Sequence, residues 1–275
     1  MIKTLHPLTL FCYFVSVITV SVVTLNPAIL EVGFVGAALF LALEKGKTAL
    51  KQIAFSVILV VIIAVTNPIF SHNGATILFF IDDNRVTLEA LYYGASSGLM
   101  ISSVILWFSC FSALFDSERI IYLTGRAFPK LGLVLSMILG LVPRLLRDFK
   151  SINAALKTIE KRRLRRYLGA FSALITRSME DAIVTADSMR ARGYGQKGRT
   201  FYSRFRFTAL DFSLIIVFAA LLALSLVFTS DVNFYPNFSL TVTPAGFAAF
   251  VILSFLPAVI KLKEGIVWSF SLSKI

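Results

Sequence analysis

Cysteine and histidine are scarce, with two of each in 275 residues. Cys12 and Cys110 lie far apart inside apolar runs. That placement suits packed side chains at lipid depth better than a redox pair. His6 and His72 fall on opposite predicted sides of a membrane, so they cannot share a metal ion. His72 follows Asn67-Pro68-Ile69-Phe70-Ser71 and reads as a turn hydrogen-bonder. No metal site, cofactor or catalytic residue is expected. A phosphate-cradling loop of the form Gly-x-x-x-x-Gly-Lys-[Ser/Thr] is also missing. Gly193, Gly195 and Gly198 match the spacing of a dinucleotide fingerprint, but they follow a helix rather than a strand, so the match is false.

Charge is the third shortage. Asp, Glu, Lys and Arg make up 15% of the residues, against about 25% in a soluble domain. Hydrophobic residues make up 57%, 26 of them Phe. Long apolar runs with few charges indicate an integral membrane protein. A cleaved secretory signal is not expected, because no small-residue cleavage site follows the first apolar run. The acids fall in loops and at helix ends, whereas ion-driven pumps carry ionisable groups at membrane depth. Any energy used would therefore come from another subunit.

The net charge of +12 is unevenly placed. Arg144–Arg206 holds 16 of the 27 Lys and Arg against five acids, a net +11. Basic loops stay on the cytoplasmic side, which orients the chain. Crossings are expected at Leu8–Leu25, Pro27–Leu43, Ile53–Val65, Tyr93–Leu114, Ala209–Thr229 and Pro244–Ile260. Between the third and fourth lies an acidic, turn-rich outer loop, 67–90. There Asp82-Asp83-Asn84 closes a small hairpin between Ile77–Ile81 and Val86–Leu88, and Thr87 to Ala90 begins a helix. The sequon Asn237-Phe238-Ser239 is taken as accidental. Leu131–Val142, twelve apolar residues ended by Pro143, is read as a helix at the inner interface or packed under the bundle. Gly94 and Gly98 form a Gly-x-x-x-Gly face that lets helices approach closely. Packing within the chain is the favoured use, and a seam for another membrane subunit is the alternative.

Two amphipathic helices occupy the basic loop. Leu145, Phe149, Ile152, Leu156 and Ile159 make the first apolar stripe, and Lys161-Arg162-Arg163-Leu164-Arg165-Arg166 closes that helix. Phe171, Leu174, Ile175, Met179, Ile183, Ala186 and Met189 make the second stripe. Arg190, Ala191 and Arg192 follow, and Gly193, Gly195 and Gly198 stop the helix. The product is a helix end presenting a guanidinium, a planar fork suited to a carboxylate on another protein. The cluster Lys161–Arg166 suits anionic lipid as well as it suits docking. Nucleic acid is not expected, because the apolar stripes point to packed protein contacts.

Ser188-Met189-Arg190-Ala191-Arg192-Gly193-Tyr194-Gly195, followed by Arg199-Thr200, resembles the second Ala-Arg-Gly motif of the transmembrane (T) component of energy-coupling-factor transporters. His6-Pro7-Leu8 resembles that family's start. Asn67-Pro68-Ile69-Phe70-Ser71-His72-Asn73-Gly74 and Thr87-Leu88-Glu89-Ala90-Leu91-Tyr92-Tyr93-Gly94 resemble its outer loop and following helix. The resemblance covers most of the chain. It implies a non-catalytic scaffold joining two cytoplasmic ABC-type ATPases to a membrane substrate-binding S component that imports a vitamin or transition-metal ion. It assigns ATPase docking to Arg190, Ala191, Arg192 and Gly193. One departure stands out. Where the family carries an earlier Ala-Arg-Gly-like triplet, this chain reads Ile152-Asn153-Ala154-Ala155-Leu156-Lys157-Thr158, leaving Lys157 as a cation without the fork. Docking onto two identical ATPases is therefore in doubt, and a heterodimeric pair is the natural accommodation.

The expected fold is all-α: a polytopic membrane helix bundle of about six crossings with cytoplasmic N and C termini. Residues 1–115 form the N-terminal transmembrane helices, 116–206 a cytoplasmic insertion of coupling helices, and 207–275 the C-terminal transmembrane helices. Two other functions compete. One is a standalone secondary transporter. The other, with less support, is a membrane-embedded enzyme that gathers anionic lipid substrates.

Overall fold

The computed structural model describes residues 5–71, 74–81, 84–194, 205, 207–228, 232–235 and 239–272. Among these the fold is all-helical apart from two short hairpins. The helices are α1 (Pro7–Val23), α2 (Pro27–Lys45), α3 (Lys47–Phe70), α4 (Leu88–Leu114), α5 (Ser117–Ala127), α6 (Pro129–Leu156), α7 (Arg163–Ala191), α8 (Ala209–Val227) and α9 (Pro244–Leu272). Six of them, α2, α3, α4, α6, α8 and α9, are long and apolar enough to cross a membrane, as in a multi-pass membrane protein.

The count matches the expected six, but the membership differs. α1 has 17 residues, at the short end of the spanning range of about 17–25. α6 has 28. Pro143 was expected to end a twelve-residue segment, yet it lies inside α6, which runs unbroken to Leu156. A proline costs one backbone hydrogen bond and crowds the carbonyl four residues back, which a long helix survives. Pro68 in α3 and Pro257 in α9 are further cases. The expected short segment and the first amphipathic helix are therefore one element, and that element is long enough to cross a membrane.

The chain divides into two compact units, 1–116 with 205–275, and 117–204. In the first, α1, α2, α4, α8 and α9 share one core. Trp107, Phe14, Phe40, Phe250, Leu30, Leu41, Leu106 and Leu253 are its largest fully buried side chains. Tyr13 packs edge-on against Phe14, Trp107 and Phe218 and donates its hydroxyl to the Leu253 carbonyl at 3.1 Å. On and just after α1, Ser16, Ser21 and Thr24 each donate to the carbonyl four residues back.

The Gly94–Gly98 face is filled from within the chain. A Cβ on Gly94 would stand 2.7 Å from Asn67 Cβ and 3.1 Å from Ala64 Cα, and one on Gly98 3.0 Å from the Val60 carbonyl. α3 thus packs closely on this face from within the chain. On the same unit, β1 (Ile77–Ile81) pairs antiparallel with β2 (Asn84–Thr87). Asn84 opens the second strand, whereas the expected turn residues Asp82 and Asp83 lie outside the described residues, as do His72, Asn73, Asn237 and Phe238. Thr87 is the N-cap of α4, its hydroxyl accepting from Ala90 N–H at 3.4 Å. Glu89 accepts from the Thr76 backbone and hydroxyl at 3.1 and 2.7 Å, tying hairpin to helix. A second hairpin pairs β3 (Val232–Asn233) with β4 (Ser239–Leu240).

Candidate functional site

The second unit is built from α5, α6 and α7. Phe149 stacks on Tyr167 with centroids 6.3 Å apart, Arg166 Nε donates to Asn153 Oδ1 at 3.2 Å, and its guanidinium lies over the Tyr167 ring. Farther along, Arg144 pairs with Asp181 at 3.1 Å. Met137, Leu141, Leu145, Ala182, Ala186 and Met189 line a groove of ≈ 450 Å³ beside that pair. The expected stripe on α7 is divided. Ala186 and Met189 line the groove, whereas Phe171, Ile175, Met179 and Ile183 are exposed.

α7 ends in a specific backbone motif. Ala191 is its last residue, Arg192 the C-cap, and Gly193 has φ 73. Tyr194 N–H donates to the Met189 carbonyl at 3.1 Å and Gly193 N–H to the Arg190 carbonyl at 3.0 Å. These two bonds define a Schellman turn, in which glycine takes the left-handed position and reverses the chain. Arg190, Ala191 and Arg192 are all exposed. The turn holds the Arg192 backbone in one conformation at the tip, where the negative helix end favours a cation. Arg190 meets Asp187 at 3.9 Å across exposed surface, a contact that adds little. Gly195 and Gly198, also expected to stop the helix, and Arg199 and Thr200 lie outside the described residues.

Lys157 ends the preceding helix differently. It is the C-cap of α6 at φ −62, ψ −27, and its N–H reaches the Asn153, Ala154 and Ala155 carbonyls. Thr158 Oγ1 donates to the Ala155 carbonyl at 2.7 Å. The chain leaves through a tight right-handed turn with no glycine, so the two helix ends are not equivalent. Lys161–Arg166 was expected to close the first helix. It instead leads into and opens the second, with Arg162 as N-cap of α7 and Arg163 its first residue.

Sequence reasoning missed a polar clamp in the first unit. Asp211, buried in the first turn of α8, accepts from His6 N–H and Thr9 Oγ1, both at 3.2 Å, and from Thr208 N–H and Oγ1 at 3.0 and 2.6 Å. Thr208-Ala209-Leu210-Asp211 is a capping box ahead of an apolar run, a signal visible in the sequence. Glu44 of α2 also pairs with Lys261 of α9, while Lys45 donates to Ser109 Oγ at 3.1 Å. Glu31, Glu44, Glu89 and Asp211 lie within the first or last two turns of α2, α4 and α8, whereas Asp148 stands more than two turns from either end of α6. Among the described residues no three His, Cys, Asp or Glu side chains gather to hold a metal ion.

No protein-family model and no curated protein matches the chain.

Proposed function

We propose that the chain is the energy-coupling membrane scaffold of an ATP-driven importer of the energy-coupling-factor type. In this reading it links two ATPases to a membrane substrate-binding component that takes up a vitamin or a transition-metal ion. The observation that carries the reading is the end of α7: a long amphipathic helix, closed by a glycine turn, with Arg190 and Arg192 exposed in a strongly basic unit. The resemblance of residues 188–195 supplies the partner. The basic unit faces the cytoplasm, α6 lies at the inner interface, and both termini are cytoplasmic. ATP binding closes the ATPases, α6 and α7 move with them, and the displacement reorients the substrate-binding component. Arg192 holds the contact as a bidentate donor to a carboxylate. Lys157, a point charge on a different turn, engages the other ATPase more weakly. This asymmetry suits a heterodimeric ATPase pair.

Co-expression with the ATPases and pull-down in mild detergent tests the assignment. Arg192→Glu is expected to leave membrane insertion intact while abolishing ATPase retention and uptake. Retention equal to the unsubstituted chain removes Arg192 from the docking contact. Uptake by the purified chain in ATP-free vesicles would establish a secondary transporter instead.

A further inference from the structure

The start of α7 carries a feature that ATPase docking at its other end does not use. Leu164, Leu168 and Phe171, spaced four and three apart, are 74%, 60% and 57% exposed, and Ile159 in the preceding turn is 82% exposed. At ~100° per residue the three fall within about 60° of one another on the helix. Arg163 and Arg165 stand about 100° to either side of Leu164. Lys161 and Arg162 precede them, and all four cations are exposed. The one acid in this stretch, Glu160, accepts the Arg162 N–H at 3.0 Å.

The helix itself has no need of these arginines. Cations in a first turn oppose the helix dipole, and Arg162 makes no side-chain capping bond. At this end the arginine that holds α7 against α6 is Arg166, through Asn153 Oδ1, beside the stack of Phe149 on Tyr167. What suits the remaining surface is an occupant that is apolar in the middle and anionic at its margins. A bilayer of anionic phospholipid has that profile, since an interfacial helix buries its apolar stripe at the acyl boundary while Lys and Arg reach the headgroups. A chain with six helices long and apolar enough to cross a membrane always has such a surface at hand. We infer that Lys161, Arg162, Arg163 and Arg165, with Leu164, Leu168 and Phe171 between them, form a docking surface for anionic phospholipid. The inference stands apart from the Arg192 contact, because it uses the opposite end of α7.

The test uses the full chain in nanodiscs, without ATPases, carrying a polarity-sensitive fluorophore on Leu168→Cys in a Cys12→Ser background. Buried Cys110 is retained. A second label on Arg177→Cys reports the opposite, exposed face of α7. Discs are made of phosphatidylcholine alone or with about a quarter phosphatidylglycerol, each doped with a headgroup-level spin-label quencher. The Leu168 label is expected to shift to the blue and to be quenched about threefold more in the anionic discs, with the difference falling as salt rises. The Arg177 label should change in neither. Replacing Lys161, Arg162, Arg163 and Arg165 with Gln while keeping Arg166 should erase the lipid dependence, with helix content by circular dichroism unchanged. A Leu168 label that stays as polar and unquenched as the Arg177 label in both discs overturns the inference. So does quenching indifferent to anionic lipid, or a cluster that binds labelled RNA but leaves the anionic-disc signal unmoved.

Discussion

The two units spend their apolar residues in opposite ways. In the first, Trp107, Phe14, Phe40 and Phe250 are fully buried, and the Asp211 carboxylate is tied off by four donors. In the second, the only buried described residues are Arg119, Gly132 and Ala170, while Leu164, Leu168, Phe171, Met179 and Ile183 remain exposed. Exposed apolar residues on a membrane-crossing helix are met by lipid tails. On α7, whose composition is too polar for a crossing, they need another partner. The contrast teaches that the first unit builds an interior of its own, with the outward apolar side chains of helices such as α3 suited to lipid, whereas much of the second unit's sequence is explained by contacts outside the chain.

Substitutions at five positions would break or sharpen that contrast. Trp107→Ala empties the centre of the first core and is expected to cost about 3–5 kcal/mol, read as a lowered unfolding temperature by circular dichroism in mild detergent. Trp107→Phe should cost far less, because among the described residues the Trp107 Nε1–H has no hydrogen-bond partner to lose. Arg192→Glu should weaken ATPase retention by ~2–5 kcal/mol in a titrated pull-down while leaving the unfolding temperature unchanged. The same change at Lys157 should have a smaller effect, and equal losses would erase the distinction between the helix ends. Gly193→Val forces a branched residue into the left-handed region, at a cost of about 1–2 kcal/mol, and should fray the last turn of α7 in hydrogen exchange. Met179→Ser, on the exposed stripe, should change stability by no more than ~0.5 kcal/mol. A large loss there would show that the stripe is packed after all.

Some of this was legible in the residues and some was not. The helical character, the hairpin strands and Thr87 as a helix start all follow from local signals: apolar runs, turn residues and a cap. The continuity of α6 did not, because a proline reads locally as a stop while its cost is settled by the rest of the helix. The placement of Lys161–Arg166 failed for a related reason. The cluster follows the first apolar stripe in sequence and so reads as its close, yet the chain sets it ahead of and within the start of α7, against that helix's dipole. The division of the α7 stripe was invisible, since periodicity gives the apolar positions but not which of them a neighbour covers. The clamp at Asp211 joins residues about two hundred positions apart, and only its local half, the Thr208–Asp211 capping box, is written in the sequence. The distinct ending of α7 rests on Gly193, whose left-handed backbone has a direct sequence signature.

The Asp211 clamp also sets an order of events during synthesis. His6 is 205 residues ahead of the carboxylate that receives its N–H. At about 5–20 residues per second, α1 leaves the ribosome roughly 10–40 s before its partner exists. For that interval α1 has neither Asp211 nor the Phe218 ring that Tyr13 meets. Until then α1 can pack only on earlier elements such as α4, through Phe14 with Trp107 and Phe111, and the first unit closes only after the whole second unit has been made.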